Sequence, residues 1–324
     1  MRRTPLPSDL PVAAVDCGTN STRLLIAGAD GTAIDRRMRI TRLGEGVDLS
    51  GRLQPAAIRR TLDVLAEYRE ATSARGVQQS RAVATSAIRD AANARAFLEP
   101  AAAAIGTGLT VLTGVEEGRL SYRGATSELP ESEGPYLVVD VGGGSTELVT
   151  GRRDGSVEAL SLDVGCVRVT ERFLLADPPT KGQLTEARTY VAGLMEYARG
   201  GHQALRRAKT LVGLAGTVSA LAMLSLRLES YDRAAVHHAR LRRAEVARLL
   251  GELCAETVEK RRERVGMEHD RADVIIGGAV VLMAVLDVFG FDELIVSESD
   301  ILDGLVLSIL PSPASGIHVA GTLA

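Results

Sequence analysis

The chain has only three lysines, Lys181, Lys209 and Lys260, among its 38 basic residues, and only three cysteines. Arginine is the residue that forks onto phosphate oxygens, but a composition bias accounts for most of the excess. Cys17, Cys166 and Cys254 are odd in number, widely spaced and without a C-x-x-C pair, which excludes a disulfide framework and a zinc site and points to a reducing, cytoplasmic setting. Residues 1–11 lack the apolar stretch of a secretion signal and read as a loose tail. The most apolar segment, 274–289, is interrupted by Gly277, Gly278 and Asp287 and is too short to span a bilayer, so no membrane role is expected. A formal charge of -3 lacks the positive field of a general nucleic-acid binder. There is no G-x-x-x-x-G-K-[ST], which argues against a P-loop nucleotidase.

What is present is ample for two cores: 324 residues, of which 45% are hydrophobic and 24% charged. Apolar β-branched runs alternate with helical patterns, the signature of an α/β fold. The first block predicts strands over 12–15, 23–27 and 33–38, the last two joined by an Asp30-Gly31 turn. A helix over 55–74, a strand over 81–84, a helix over 91–104, a strand over 109–112 and a helix over 115–127 follow. The polar segment 128–135 is the expected domain boundary. Beyond it the spacing predicts helices over 185–198, 217–228, 242–263 and 301–310, strands over 210–214 and 294–297, and a frayed tail over 311–324.

The block after the boundary repeats the first. At an offset of 124, residues 15–31 match 139–155 at eight of seventeen positions, Val, Asp, Gly, Ser, Thr, Leu, Asp and Gly. Chance supplies about one match in such a window, so the chain reads as an internal duplication. The duplicated loops run from Asp16 to Thr22 (DCGTNST) and from Asp140 to Glu147 (DVGGGSTE). Glycine lets consecutive backbone N–H groups point into one concavity and bind an anion, and Asn20, Ser21 and Ser145 add donors beside Gly18, Gly143 and Gly144. Asp16 and Asp140, at strand ends, suit Mg²⁺ bridging to phosphate oxygens.

A third turn, Gly213 to Thr217, ends a strand and begins a helix, where Gly216 amides and a capping Thr217 would meet phosphate; a plain strand-to-helix turn fits equally. Arg89, in the turn after a strand, either forks onto phosphate or pairs with Asp90. Glu116 lies at i,i+3 from Arg119, whereas Glu117 shares its face with Ser121 and Gly124 and lacks a cationic partner on its own helix. Such a carboxylate can deprotonate an attacking water, or both acids simply favour the helix dipole. His237-His238 and His269-Asp270 are spaced too loosely for a metal site and read as solvated loop residues. Residues 260–264 (KRRER) read as an exposed helical face.

Together these motifs resemble the exopolyphosphatase and guanosine pentaphosphate phosphatase family of the actin, sugar-kinase and Hsp70 superfamily. The resemblance rests on VDCGTNSTRLLI, ATSAIRDAANA, LTGVEEGRLSYRGA, VVDVGGGSTELV, DVGCVRVTERF, VGLAGTVSAL and RADVIIGGAVVL, in this order along the chain. It implies an α/β fold of two ribonuclease-H-like (actin-like ATPase) domains around an inter-domain cleft, one formed by 1–127 with a returning C-terminal helix (about 301–324) and one by 128–300. It also implies Mg²⁺ near Asp140 and Glu147, with Asp16 nearby, phosphate contacts from Gly18, Asn20, Ser21, Arg89, Gly143, Gly144, Ser145, Gly216 and Thr217, and Glu117 as the base. Leu302 stands where many members carry arginine, and the helical HD-like domain of longer relatives does not follow, which points to short chains. The expected function is release of terminal phosphate from inorganic polyphosphate or guanosine pentaphosphate, in a homodimer. A kinase of the same superfamily and a polyphosphate or alarmone sensor without catalysis are the alternatives at this stage.

Overall fold

The computed structural model describes residues 10–151 and 157–310. The expected tails and the second Asp-Gly turn, Asp154-Gly155, lie largely outside these residues. The first half comprises β1 (Val12–Cys17), β2 (Ser21–Ala27), β3 (Ala33–Ile40), α1 (Val47–Ser50), α2 (Pro55–Ala74), β4 (Gln79–Ala84), α3 (Ser86–Asp90), α4 (Arg95–Ile105), β5 (Leu109–Val111) and α5 (Gly114–Ala125). The second comprises β6 (Tyr136–Val141), β7 (Thr146–Gly151), β8 (Val157–Leu162), α6 (Cys166–Phe173), α7 (Lys181–Gly201), β9 (Thr210–Leu214), α8 (Ala215–Leu226), α9 (Arg233–Val236), β10 (Arg240–Arg242), α10 (Arg243–Cys254), α11 (Val258–Arg262), α12 (Ile275–Phe289), β11 (Glu293–Val296) and α13 (Ile301–Ile309).

Two sheets result, ordered β3-β2-β1-β4-β5 and β10-β11-β9-β6-β7-β8. In each, an antiparallel meander of three strands continues into parallel strands, so β8-β7-β6-β9-β11 repeats the first sheet, the ribonuclease-H-like order. The central strands β1 and β6 are buried along their whole length, as strands covered on both faces must be. The edge strand β3 is instead half exposed and carries Arg36, Arg37 and Arg39, charges that discourage edge-to-edge pairing.

Two helices cross between the sheets. Tyr122 and Ala125 of α5 pack with Val138, Val149, Val212 and Ile295 of the second sheet, whereas Ile301, Leu302, Leu305 and Val306 of α13 pack with Val12, Ala14, Leu25 and Val83 of the first. Helix α5, placed by chain order with the first half, therefore covers the second sheet. Both helices carry glycine at the crossing because nothing larger fits: a Cβ on Gly124 would lie 2.0 Å from Asp300 O, and one on Gly304 2.0 Å from Leu120 O.

Several expectations change for local reasons. The helix expected from residue 91 starts at Arg95, because the Asn93 side chain bonds both Leu53 N (2.8 Å) and Leu53 O (3.0 Å) and holds the preceding residues in a turn. The helix expected over 242–263 breaks after Cys254, and Thr257 caps a new helix by accepting from Lys260 N. Arg261 is then buried against Asp177 at 2.7 Å, and Arg264 pairs with Glu252 and Glu256, so 260–264 is not the exposed face expected. Helix α6 was not foreseen. Segment 274–289 forms the buried helix α12, and no described helix is long and apolar enough to cross a membrane.

Candidate active site

The duplicated loops fold alike. Gly18 N donates to Ser21 O and Gly142 N to Ser145 O, both at 3.0 Å. Each loop is then braced from behind through its carbonyls. In the second, Gly142 O accepts from Cys166 N (2.9 Å), and Gly143 O from Val167 N (2.9 Å) and Arg168 N (3.2 Å), all at the start of α6. Gly144 O accepts from Arg168 Nε at 2.9 Å. In a trans peptide the C=O and the following N–H point oppositely, so the amides of Gly143, Gly144 and Ser145 turn away from α6. In the first loop, Thr19 O accepts from Gly44 N (2.8 Å), and Asn20 O from Thr41 N (3.1 Å) and Arg42 N (2.9 Å). Arg42 adopts φ 49°, a left-handed conformation that costs a non-glycine residue on the order of 1 kcal/mol.

The loops touch. A Cβ on Gly143 would stand 2.8 Å from Thr19 Cβ and one on Gly144 2.8 Å from Ser86 Oγ, which explains the glycine run. Between them lies a cleft of ≈ 80 Å³ lined by Asp16, Gly18, Asn20, Ser21, Glu117, Asp140, Gly143, Ser145 and Gly216, together with Arg23 and Arg271. An outer chamber of ≈ 370 Å³, with Arg36, Arg37, Tyr231, Arg233 and Glu298 in its walls, shares Arg23, Gly216 and Arg271 with it.

Four of the expected residues do not line the cleft. Gly144 lies on the far side, against Ser86 and Thr19. Glu147 is buried as the cross-strand partner of Asp140. Thr217 is the third residue of α8 rather than its cap; its hydroxyl bonds Cys166 and packs where α12 passes at Gly278. Arg89 donates to Leu112 O at 2.9 Å and to Glu117 Oε2 at 3.4 Å. Glu117 is thus not unpaired, as its own helix implied, since its cation comes from the turn after β4. Glu116 does not reach Arg119 but completes a capping box with Thr113. His237 and His238 are not solvated: they stack at 3.7 Å, and His237 Nδ1 accepts from Glu298 N, with burial lowering its pKa below 6.5.

Sequence reasoning assigned no contact to Arg23 and Arg271. A Cβ on Gly216 would fall 1.9 Å from Arg271 Nη1, so this guanidinium lies directly over the third turn. It is braced by Glu268 at 2.8 Å. Arg23 was legible in principle, because the hairpin register sets it opposite Asp16.

That register divides the two loops electrostatically. Asp16 faces Arg23, whose Nη2 donates to Asp16 Oδ2 at 2.6 Å and whose Nη1 donates to Asp300 Oδ2 at 2.5 Å. Asp140 instead faces another acid, Glu147. Ser121 Oγ donates to Asp140 Oδ2 and Ser161 Oγ to Glu147 Oε1, each at 2.8 Å. Burial, aided by neighbouring acids, pushes Asp140 up to about 6 and Glu147 up to about 8. Burial first, then the charges of Glu147, Asp140 and Asp16, raises Glu117 well above the usual carboxylate range against the pull of Arg89. Asp16 Oδ1 and Glu147 Oε2 are buried without a partner. Among the described residues no three donors form a ready-made metal cage. The orphaned oxygens and raised pKa values fit a divalent cation that keeps water or substrate oxygens in its shell.

Comparison with known proteins places the chain in a family. The model of the Ppx/GppA phosphatase family matches residues 26–313. "Exopolyphosphatase 2" of Mycobacterium tuberculosis is 43% identical over 314 residues, covering 92% of this chain and 98% of its own length. A guanosine-5'-triphosphate,3'-diphosphate pyrophosphatase of Aeromonas hydrophila is 28% identical, over 92% of this chain and 59% of its own. The crystal structure of an exopolyphosphatase-like protein superposes with a TM-score of 0.87 at 36% identity, covering 93% of this chain and 98% of that one. The chain therefore belongs to the Ppx/GppA phosphatase family.

Proposed function

We propose that the protein is a phosphohydrolase that releases terminal orthophosphate from inorganic polyphosphate, of short chain, or from guanosine pentaphosphate. The observation that carries the reading is the convergence of both duplicated loops and Glu117 on one cleft. The names of its relatives supply the substrate class.

In the mechanism, the terminal phosphoryl group sits between the amides of the loops, with Ser21, Ser145 and the Arg271 guanidinium as further donors. The oxygen of a water attacks phosphorus in line as the bond to the bridging oxygen breaks. Glu117 takes the water's proton, and the bridging oxygen leaves on the shortened chain. Arg89 orients the Glu117 carboxylate. Mg²⁺ would be held by Asp140 and Glu147, with Asp16 lining the same cleft as Asp140, and would neutralise phosphate oxygens and act as a Lewis acid.

The division proposed is 1–127 with the closing helix against 128–300, α5 being shared between them, with closure about 128–135. Scattering profiles that stay identical with and without ligand would count against closure. A homodimer is the proposed assembly, read by light scattering. The deciding assay compares phosphate release from short polyphosphate, long polyphosphate and guanosine pentaphosphate, with and without Mg²⁺. No release from any of them, with tight binding retained, would establish a sensor instead.

A further inference from the structure

The segments that brace the two loops are topologically equivalent, each following the third strand of its meander, and each sends one arginine across to the other half. Arg42, whose amide holds Asn20 O, reaches Asp273 Oδ2 at 2.8 Å and lies near Asp270 O at 3.4 Å. Arg168, whose Nε holds Gly144 O, reaches Asp48 through Nη1 and Asp90 Oδ2 through Nη2 at 2.7 Å. Asp273 lies two residues from Arg271, which lines the cleft, and Asp90 follows Arg89, which donates to Glu117, so each crossing ends close in sequence to a residue that serves the cleft from the opposite half. All five side chains are at least partly shielded from water, which makes their pairing stronger than that of surface ions.

We infer that Arg42 and Arg168 are reciprocal positioning residues, which make the anion-cradling form of each loop conditional on contact with the other half. A guanidinium that loses its partner across the cleft loses the restraint on the segment bracing its own loop. Loop carbonyls are then free to rotate back, and the amides no longer converge. Neither arginine touches substrate. The inference rests on reading the loops as a phosphate cradle, but its first test does not depend on turnover.

That test is hydrogen exchange on the full chain. Asp273→Ala, in the second half, should speed exchange of the Thr41 and Gly44 amides that brace the first loop, about tenfold or more if the braces open together. Unchanged exchange there overturns the inference, whether or not the protein hydrolyses anything. The second test is kinetic, on short polyphosphate. Asp48→Ala with Asp90→Ala cuts the crossing and leaves the Arg168-to-Gly144 bond intact. It should lower kcat about 10- to 100-fold with little change in KM, as expected when reacting groups are misplaced from a distance. Arg168→Lys, which keeps a charge toward both aspartates but lacks the third donor, should not restore the rate. Adding Arg42→Ala should cost less than the product of the separate effects. An unaffected kcat, or effects that simply multiply, would show that the two crossings are independent surface contacts.

Discussion

The two halves share a hairpin yet treat charge oppositely at its base. Seven residues past the first loop's aspartate the chain places Arg23, and at the same point of the second it places Glu147, so one acid meets a guanidinium and the other meets an acid. The first pair shares its guanidinium with Asp300. The second leaves two buried carboxylates that only a cation or protons can satisfy. A single position thus sets the duplicated loops apart: the acid of the first has one oxygen on a guanidinium and one without a partner, whereas the second sets acid against acid.

The largest effect should come from removing the acid that belongs to neither loop. Glu117→Gln should retain orthophosphate binding by calorimetry while turnover falls roughly 10²- to 10⁴-fold, and an unimpaired variant removes Glu117 from the mechanism. Next, Glu147→Gln should weaken Mg²⁺ binding by at least about 10- to 100-fold, whereas Arg23→Gln, which removes a positive charge acting on Asp140, should not weaken it. Equal losses would erase the contrast between the loops. Stability should move in opposite directions: Arg23→Gln strands Asp16 and should cost about 3–5 kcal/mol in denaturant titration, while Glu147→Gln should raise the Tm of the metal-free protein.

The pH dependence sharpens the same point. Folded Asp140 and Glu147 keep protons to about 6 and about 8, against 3.8 and 4.5 for the free side chains. Between those limits the native state binds more protons than the unfolded one, so metal-free stability is greatest on the acid side and is lost as pH rises toward 8, by on the order of a few kcal/mol. The rise in Tm on adding Mg²⁺ should accordingly be larger at pH 8 than at pH 5.5; the reverse order would mean that the ion binds elsewhere. The smallest effects belong to Ser121→Ala and Ser161→Ala, each removing one hydrogen bond to an acid of the second loop, about 1 kcal/mol or roughly fivefold in turnover. A comparable loss from a hydroxyl serving the first loop alone would blunt the distinction.

Local features were legible in the sequence. The hairpins follow from β-branched runs and turn glycines, α2 from its periodicity and Pro55, and the loops from their repetition at an offset of 124. What escaped depends on partners far along the chain. Arg89 meets Glu117 across 28 residues and Arg168 meets Asp48 across 120, and no helical projection contains such distances. The placement of α5 on the second sheet was hidden for a related reason. Periodicity shows that a helix buries one face but not which sheet receives it. Arg23 was the avoidable omission, because the offset that revealed the duplication already aligned it with Glu147.

The glycine crossing of α5 and α13 carries a mechanical consequence. With a main-chain oxygen waiting 2.0 Å from any added carbon on either side, the contact has no slack, and even one methyl group would act as a wedge. Glu117 lies two turns along α5 from that fulcrum, and α13 begins beside Asp300, the second partner of Arg23. A change of one atom at a place remote from water and substrate would therefore be levered into the gap between base and cradle.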